Sequence, residues 1–185
     1  MPLFEYDLPD RFVAGTVGQP GERTFFLQAS GHGVVTSVAL EKQQVAVLAE
    51  RIDELLDEVV RRSGGEAPVP ALAPVELVDD APLSTPVDEE FRVGTMSLAW
   101  DGNAERVVIE CLEAGDETAE VDEDGDLTPQ PGAGLLRVSL TGAGARAFAK
   151  RANAVVAAGR PPCPFCGNPL DPEGHVCPRA NGHRR

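Results

Sequence analysis

Between residues 41 and 62 the apolar positions Val45, Leu48, Ile52, Leu55, Leu56 and Val59 recur at steps of three and four, with charged residues between them. That period puts them on one face of a helix and predicts the most clearly marked element of the chain. Arg61 and Arg62 suit the negative end of its dipole, and Ser63-Gly64-Gly65 stops it. Upstream the period is two. Residues 11–17, 23–29 and 34–40 read as strands, separated by the turn signals Gln19-Pro20-Gly21-Glu22 and Ser30-Gly31-His32-Gly33. Short turns of this kind favour antiparallel neighbours.

Downstream, residues 63–90 carry Pro68, Pro70, Pro74, Pro82 and Pro86, a spacing that leaves no room for a helix and little for a paired strand. An extended connector is expected there, wrapping the body through Val75, Leu77 and Val78. The second half then resumes the earlier pattern. Residues 91–100 and 105–112 read as strands flanking a hairpin at Asp101-Gly102, residues 135–140 as a third, and Thr141 is placed to cap a helix over residues 143–157. At a constant offset of 100, Val38 falls on Val138, Leu40 on Leu140, Leu48 on Phe148, Ala49 on Ala149, Arg51 on Arg151, Leu55 on Val155 and Leu56 on Val156. The expectation is an α+β body, residues 1–160, of antiparallel sheet or sheets from two β-β-β-α units (1–62 and 91–158) with both helices packed on them. A small zinc-ribbon-like tail, residues 161–185, follows.

Composition narrows the partners. The formal net charge is −14. From residue 160 onward Arg160, Arg179, Arg184 and Arg185 outnumber Asp171 and Glu173, so the tail stands at +2 and the rest at −16. A body that acidic repels phosphate backbones and anionic lipid, which argues against non-specific nucleic-acid binding and against membranes. No run has the ~18 apolar residues of a membrane span, and Met1-Pro2-Leu3-Phe4-Glu5 lacks the basic-then-apolar form of a signal peptide, so a cytoplasmic protein is expected. Apolar residues at 42% exclude a wholly disordered chain, while 19 glycines and 16 prolines imply many turns.

Metal-grade ligands gather in the tail: Cys163-Pro164-Phe165-Cys166-Gly167, then His175-Val176-Cys177 and Asn181-Gly182-His183. Two thiolates two residues apart curl around one ion, and Cys177 supplies a third. The fourth ligand stays open between two histidines. His175 shares a side with Cys177 on an extended segment, and His183 gives C-x2-C-x10-C-x5-H; His175 is preferred because His183 is two residues from the terminus. A Cys3His tetrahedron has no open position, so the expected Zn2+ is structural, and it would order a proline-rich tail that has almost no core of its own. Thiols clustered this way suit a reducing compartment better than a disulfide framework.

Other signals are weaker. Asp122-Glu123-Asp124-Gly125-Asp126 resembles a calcium loop, but the sixth position, Leu127, should be Gly and the twelfth, Ala133, should be Glu. A solvated hairpin loop is the better reading. His32 sits between glycines with no nucleophile or orienting carboxylate nominated beside it, Cys111 alternates with Val107 and Ile109 as a core residue would, and Trp100 beside the hairpin turn reads as packing. No phosphate-binding, dinucleotide-binding, serine-hydrolase or zinc-protease motif is present.

Three passages carry a resemblance to a known family: Asp10-Arg11-Phe12-Val13-Ala14-Gly15-Thr16-Val17-Gly18 leading into Arg23-Thr24-Phe25-Phe26-Leu27-Gln28-Ala29; Val38-Ala39-Leu40-Glu41-Lys42-Gln43-Gln44; and the tail with Gly174-His175-Val176-Cys177-Pro178-Arg179. Together they resemble the actinobacterial family known as domain of unknown function 3090. The resemblance implies a bacterial cytoplasmic protein and transfers no catalytic residue. The leading expectation is therefore a non-enzymatic binding or adaptor protein with a protein partner. Its alternatives are an enzyme or accessory subunit with a cleft between the halves lined by Arg11, Gln28, Lys42 and Gln43, and a nucleic-acid-binding zinc ribbon.

Overall fold

Leu40 ends a strand and Lys42 begins a helix; one hundred residues later Leu140 and Gly142 do the same. The computed structural model describes residues 2–115, 120–121, 127–128, 132–159, 163–166 and 177. In chain order the elements are β1 (Leu3–Asp7), β2 (Arg11–Val17), β3 (Thr24–Gly31), β4 (Val34–Leu40), α1 (Lys42–Arg62), β5 (Glu89–Asp101), β6 (Arg106–Glu113), β7 (Glu120–Val121), β8 (Leu127–Thr128), β9 (Leu135–Leu140) and α2 (Gly142–Ala157). Among the described residues, seven strands form one mixed sheet in the order β1-β9-β6-β5-β4-β3-β2, and β7 pairs with β8 apart from it. With the two helices this is an α+β fold.

The antiparallel expectation is corrected at two places. β4 pairs parallel with β5, and β1 parallel with β9. Parallel neighbours need a long crossover. α1 and the proline-rich connector supply it between β4 and β5, so the two halves join edge to edge instead of forming separate sheets. β1 lies where no strand was expected, in register with β9 from Leu3 opposite Leu135 to Asp7 opposite Ser139.

The sheet is strongly curled. β1 and β2 stand at its opposite edges, which in a flat seven-stranded sheet lie about 29 Å apart. Only Leu8, Pro9 and Asp10 join them, and the four steps from Asp7 to Arg11 span at most about 14 Å. The edges must therefore bend toward each other. Two contacts record the closure: the Tyr6 hydroxyl of β1 bonds Thr36 Oγ1 of β4 at 2.7 Å, and a methyl group placed on Gly31 would lie 3.4 Å from the Tyr6 ring.

The concave face holds one continuous core. Phe12, Phe25, Leu27, Val38 and Leu40 from the first half meet Phe91, Val107, Ile109, Leu136 and Val138 from the second under Leu48, Ile52, Leu56 and Phe148 of the helices. Phe12 and Phe148 stack with ring centroids 4.6 Å apart, an arrangement worth about 1 kcal/mol beyond the area buried. Thr141 caps α2, its Oγ1 accepting from Gly144 N at 3.0 Å, and Glu41 with Gln44 forms a reciprocal capping box on α1. The offset of 100 extends to burial: Val45 and Ala145, Leu48 and Phe148, Ala49 and Ala149, and Ile52 and Ala152 are all buried.

The connector starts on the helix side, where Val69 packs beside Gly142 of α2, and crosses to the opposite face of the first half, held there by residues other than those the sequence suggested. Val75 is 84% exposed, and Leu77 and Val78 are exposed as well. Leu83 is the buried anchor, packed with Val13, Phe26 and Ala39. Next to it Gln28, 1% exposed, takes Ser84 N at 2.8 Å and gives to Ser84 O at 3.1 Å, with a further bond to Ser37 Oγ at 3.0 Å. A single amide thus pairs with backbone as a neighbouring strand would.

Candidate metal centre

Arg23, just before β3, donates to Ala158 O at 3.1 Å, at the C-terminal end of α2, while its guanidinium lies 5.3 Å from the centre of the Phe25 ring. A cation at that end favours the helix dipole and fixes where the chain leaves α2. A few residues on, Cys163-Pro164-Phe165-Cys166 forms a turn. The prolines of this run exclude a continued helix, so the cysteines sit on irregular backbone.

The Sγ atoms of Cys163, Cys166 and Cys177 all lie within 4.8 Å of one another. Cys163 and Cys177 are buried, Cys166 is half-buried, and the Cys163–Cys177 sulfur separation is 3.8 Å. That is far from the ~2.05 Å of a disulfide. It equals the edge of a tetrahedron of sulfurs each ~2.3 Å from a central ion, about 3.8 Å. Cys166 and Cys177 belong to separate stretches of the chain, so their approach is a property of the fold and not of the motif alone. The donor set of three close thiols fits a thiophilic divalent ion. The two histidines considered as fourth ligand, His175 and His183, lie outside the described residues.

The family model described as Protein of unknown function (DUF3090) matches residues 4–177. The chain belongs to that family. The matched region of this DUF3090 chain runs from β1 to the third thiol of the cluster and includes His175, while His183 falls beyond it. Comparison with curated proteins and with solved structures gave no match.

The remaining candidates are placed elsewhere. Cys111 sits in the core on β6, 1% exposed, and burial first, then the neighbouring Glu110 charge, pushes its thiol up to about 12. His32 occupies the β3–β4 turn at φ 53° and is exposed, and Trp100 packs partly buried against the core. Most of the acidic loop around Asp122 lies outside the described residues. No described helix is long and apolar enough to cross a membrane.

Arg11, Gln28, Lys42 and Gln43 do not converge on one cleft. Lys42 and Gln43 are exposed on the first turn of α1, and Gln28 is buried against the connector. Arg11 is engaged in a clamp that sequence reasoning missed. Its Nε donates to Asp79 Oδ2 at 2.6 Å and its Nη2 to Oδ1 at 3.0 Å, while Arg151 of α2 reaches the same carboxylate at 3.0 Å, the Asp79 carbonyl, and Ala14 O of edge strand β2 at 2.8 Å. The Arg11 hydrogen bond, ahead of the weaker backbone and Coulombic contributions, holds Asp79 below the usual carboxylate range. Burial lowers Arg151. A second clamp, Arg146, is 7% exposed and bridges α2 to Asp53 and Asp57 of α1 and to Pro70 O of the connector. Its signal was available: a charged residue among Ala145, Phe148, Ala149 and Ala152 on the apolar face of a helix.

Beside the first clamp lies a cavity of about 390 Å³, bounded by Phe12, Phe148, Thr141, Arg11, Asp79 and Arg151. Three of the charged groups on its wall are spent on one another, the Asp79 carboxylate holding the Arg11 and Arg151 guanidiniums, and Thr141 caps α2, while Asp10 lines the same wall and is exposed. The three paired groups tie connector to sheet and helix.

Proposed function

We propose that this DUF3090 protein is a non-enzymatic binding protein whose C-terminal segment is organised by a structural Zn2+ held by Cys163, Cys166, Cys177 and His175. One observation carries the reading: three thiols from two separated stretches of chain meet with a 3.8 Å edge that matches a tetrahedral zinc–thiolate site. Zinc supplies no chemistry of its own in a closed site; it fixes geometry. His175 is taken over His183 because it lies two residues from Cys177 and within the family match. The ion would then fix a small surface at the three thiols for a protein partner.

Two supports come from the body. Two of its clusters of charge, around Asp79 and around Arg146, are interlocked with connector and helix and are thereby committed to holding the fold. Its strand-to-helix junctions and buried helix positions repeat at an offset of 100, which supports a duplicated unit as the platform for the tail. The close thiols favour a reducing, cytoplasmic setting over a disulfide framework.

Elemental analysis of the purified chain tests the site. Stoichiometric zinc is expected in the wild type, with a loss of at least about tenfold in affinity for Cys163→Ser. A wild type free of transition metal after purification under reducing conditions refutes it.

A further inference from the structure

The three thiols differ in exposure, and that difference has a chemical consequence. Cys163 and Cys177 are 5% and 6% exposed, whereas Cys166 is half-buried at the far end of the Pro164-Phe165 turn. A small oxidant arriving from solvent meets Cys166 first. Zinc keeps all three sulfurs as thiolates, the nucleophilic form, and Cys163 Sγ lies within 4.8 Å across the same turn. We propose that this cluster is a redox switch: peroxide oxidises Cys166, Cys163 resolves it to a Cys163–Cys166 disulfide, and the metal is released together with the hold on Cys177. The inference rests on the zinc reading given above.

The steps balance. The Cys166 thiolate attacks one oxygen of hydrogen peroxide; the O–O bond breaks, hydroxide leaves, and the sulfur becomes a sulfenic acid. The Cys163 thiolate attacks that sulfur; the S–O bond breaks and the oxygen departs with its hydrogen as a second hydroxide. Two protons from solvent turn both hydroxides into water. Two thiolates lose two electrons and the peroxide gains them. Both sulfurs are lost as ligands, since a disulfide is a poor zinc donor, and the ion passes to solvent.

The choice of pair decides what the switch does. A Cys163–Cys177 bond would keep the two stretches tied together after the metal leaves. A Cys163–Cys166 bond closes only the local turn, so Cys177 loses its tie to the other two sulfurs at once. Cys111 provides an internal control: buried in the core, with its thiol pushed up to about 12, it stays a thiol while the cluster reacts.

The experiment uses the full wild-type chain. Zinc content is measured first; then a few equivalents of hydrogen peroxide are added, released zinc is followed with a colorimetric chelator, and disulfides are mapped by mass spectrometry of non-reduced peptides. Release of the bound zinc in step with a Cys163–Cys166 linked peptide, with Cys177 and Cys111 still alkylatable after denaturation, is expected, and a dithiol reductant with added zinc should restore the starting state. Zinc retained through oxidation overturns the switch and leaves the metal site standing. Release with a Cys163–Cys177 bond, or with sulfinic acid and no disulfide, also overturns it. A starting protein without zinc overturns both.

Discussion

Gly15 and Leu83 offer a direct measurement of how the connector is held. An added Cβ at Gly15 would sit 2.6 Å from both Cγ and Cδ2 of Leu83 and 3.0 Å from Cδ1, closer than carbon atoms approach. Gly15→Ala alone therefore overpacks the joint between β2 and the connector. Overpacking costs roughly 1–3 kcal/mol, offset by ~0.5–1 kcal/mol because Ala is the better strand residue, for a net loss of about 1–2 kcal/mol. Leu83→Ala alone empties a site 8% exposed in a small cluster, so its loss belongs near the low end of the Leu→Ala range, about 3 kcal/mol. In the double variant the clashing atoms are gone, and the methyl group introduced by Gly15→Ala enters the space they left. Gly15→Ala should then be neutral or slightly stabilising, which gives a favourable coupling of about 2 kcal/mol. Urea denaturation of the four proteins, fitted by linear extrapolation with a common m-value, reads this coupling. Additivity within about 0.5 kcal/mol would show that Leu83 does not cover Gly15, and the account of the connector would be wrong.

Arg146→Met should cost about 1–2 kcal/mol and Arg146→Ala about 3 kcal/mol. Asp57 is 74% exposed and Asp53 41%, so their orphaned carboxylates rehydrate, and the loss comes from the carbonyl bonds and packing of a side chain 7% exposed. Removing the exposed Arg51–Glu54 pair should change stability by no more than about 0.5 kcal/mol, and equal effects at both sites would sink the distinction. For Asp79, a carboxyl lowered in the folded state gives stability that is present above its unfolded value of about 4 and is lost as pH falls through the folded value. Asp79→Asn should accordingly flatten the fall of the urea midpoint below about pH 4. The Asp79 side chain is 31% exposed, so solvent screening keeps the effect small, and an unchanged acid limb would show that the clamp does not couple to folding.

What the sequence discloses is what local period and turn chemistry can encode. The change from period two to period 3.6 after Leu40 and again after Leu140 marks both helices, Thr141 marks a cap, and Cys-Pro-Phe-Cys marks two of the three thiols that the fold gathers. The pairing of β1 with β9 has no local trace, because it joins segments about 130 residues apart through main-chain bonds that any side chains permit. Nor does the connector disclose its anchor. On an irregular segment no period says which apolar residue points inward, and Leu83 differs from Val75 only in what lies beneath it, a glycine that leaves room. Gln28 was obscured for a different reason, since a polar residue type reads as surface until the backbone groups of Ser84 are found waiting for it in the fold, whereas Arg146 could have been found as a charge on the apolar face of α2.

The same long-range bonds bear on how the tail can act. Leu83 on Gly15, Arg11 and Arg151 on Asp79, and Arg146 on Asp53 and Asp57 all lie within residues 2–159, and none involves a cysteine of the cluster. Arg23 on Ala158 is, among the described residues, the last such tie before Cys163. The change of ligation proposed at the thiols would therefore leave these named bonds in place. This separation is what a switch requires. If the metal also held the core, its release would unfold the protein; with the core clamped at these sites, the proposed release would leave the clamps in place, and recovery with reductant and zinc is what the switch predicts.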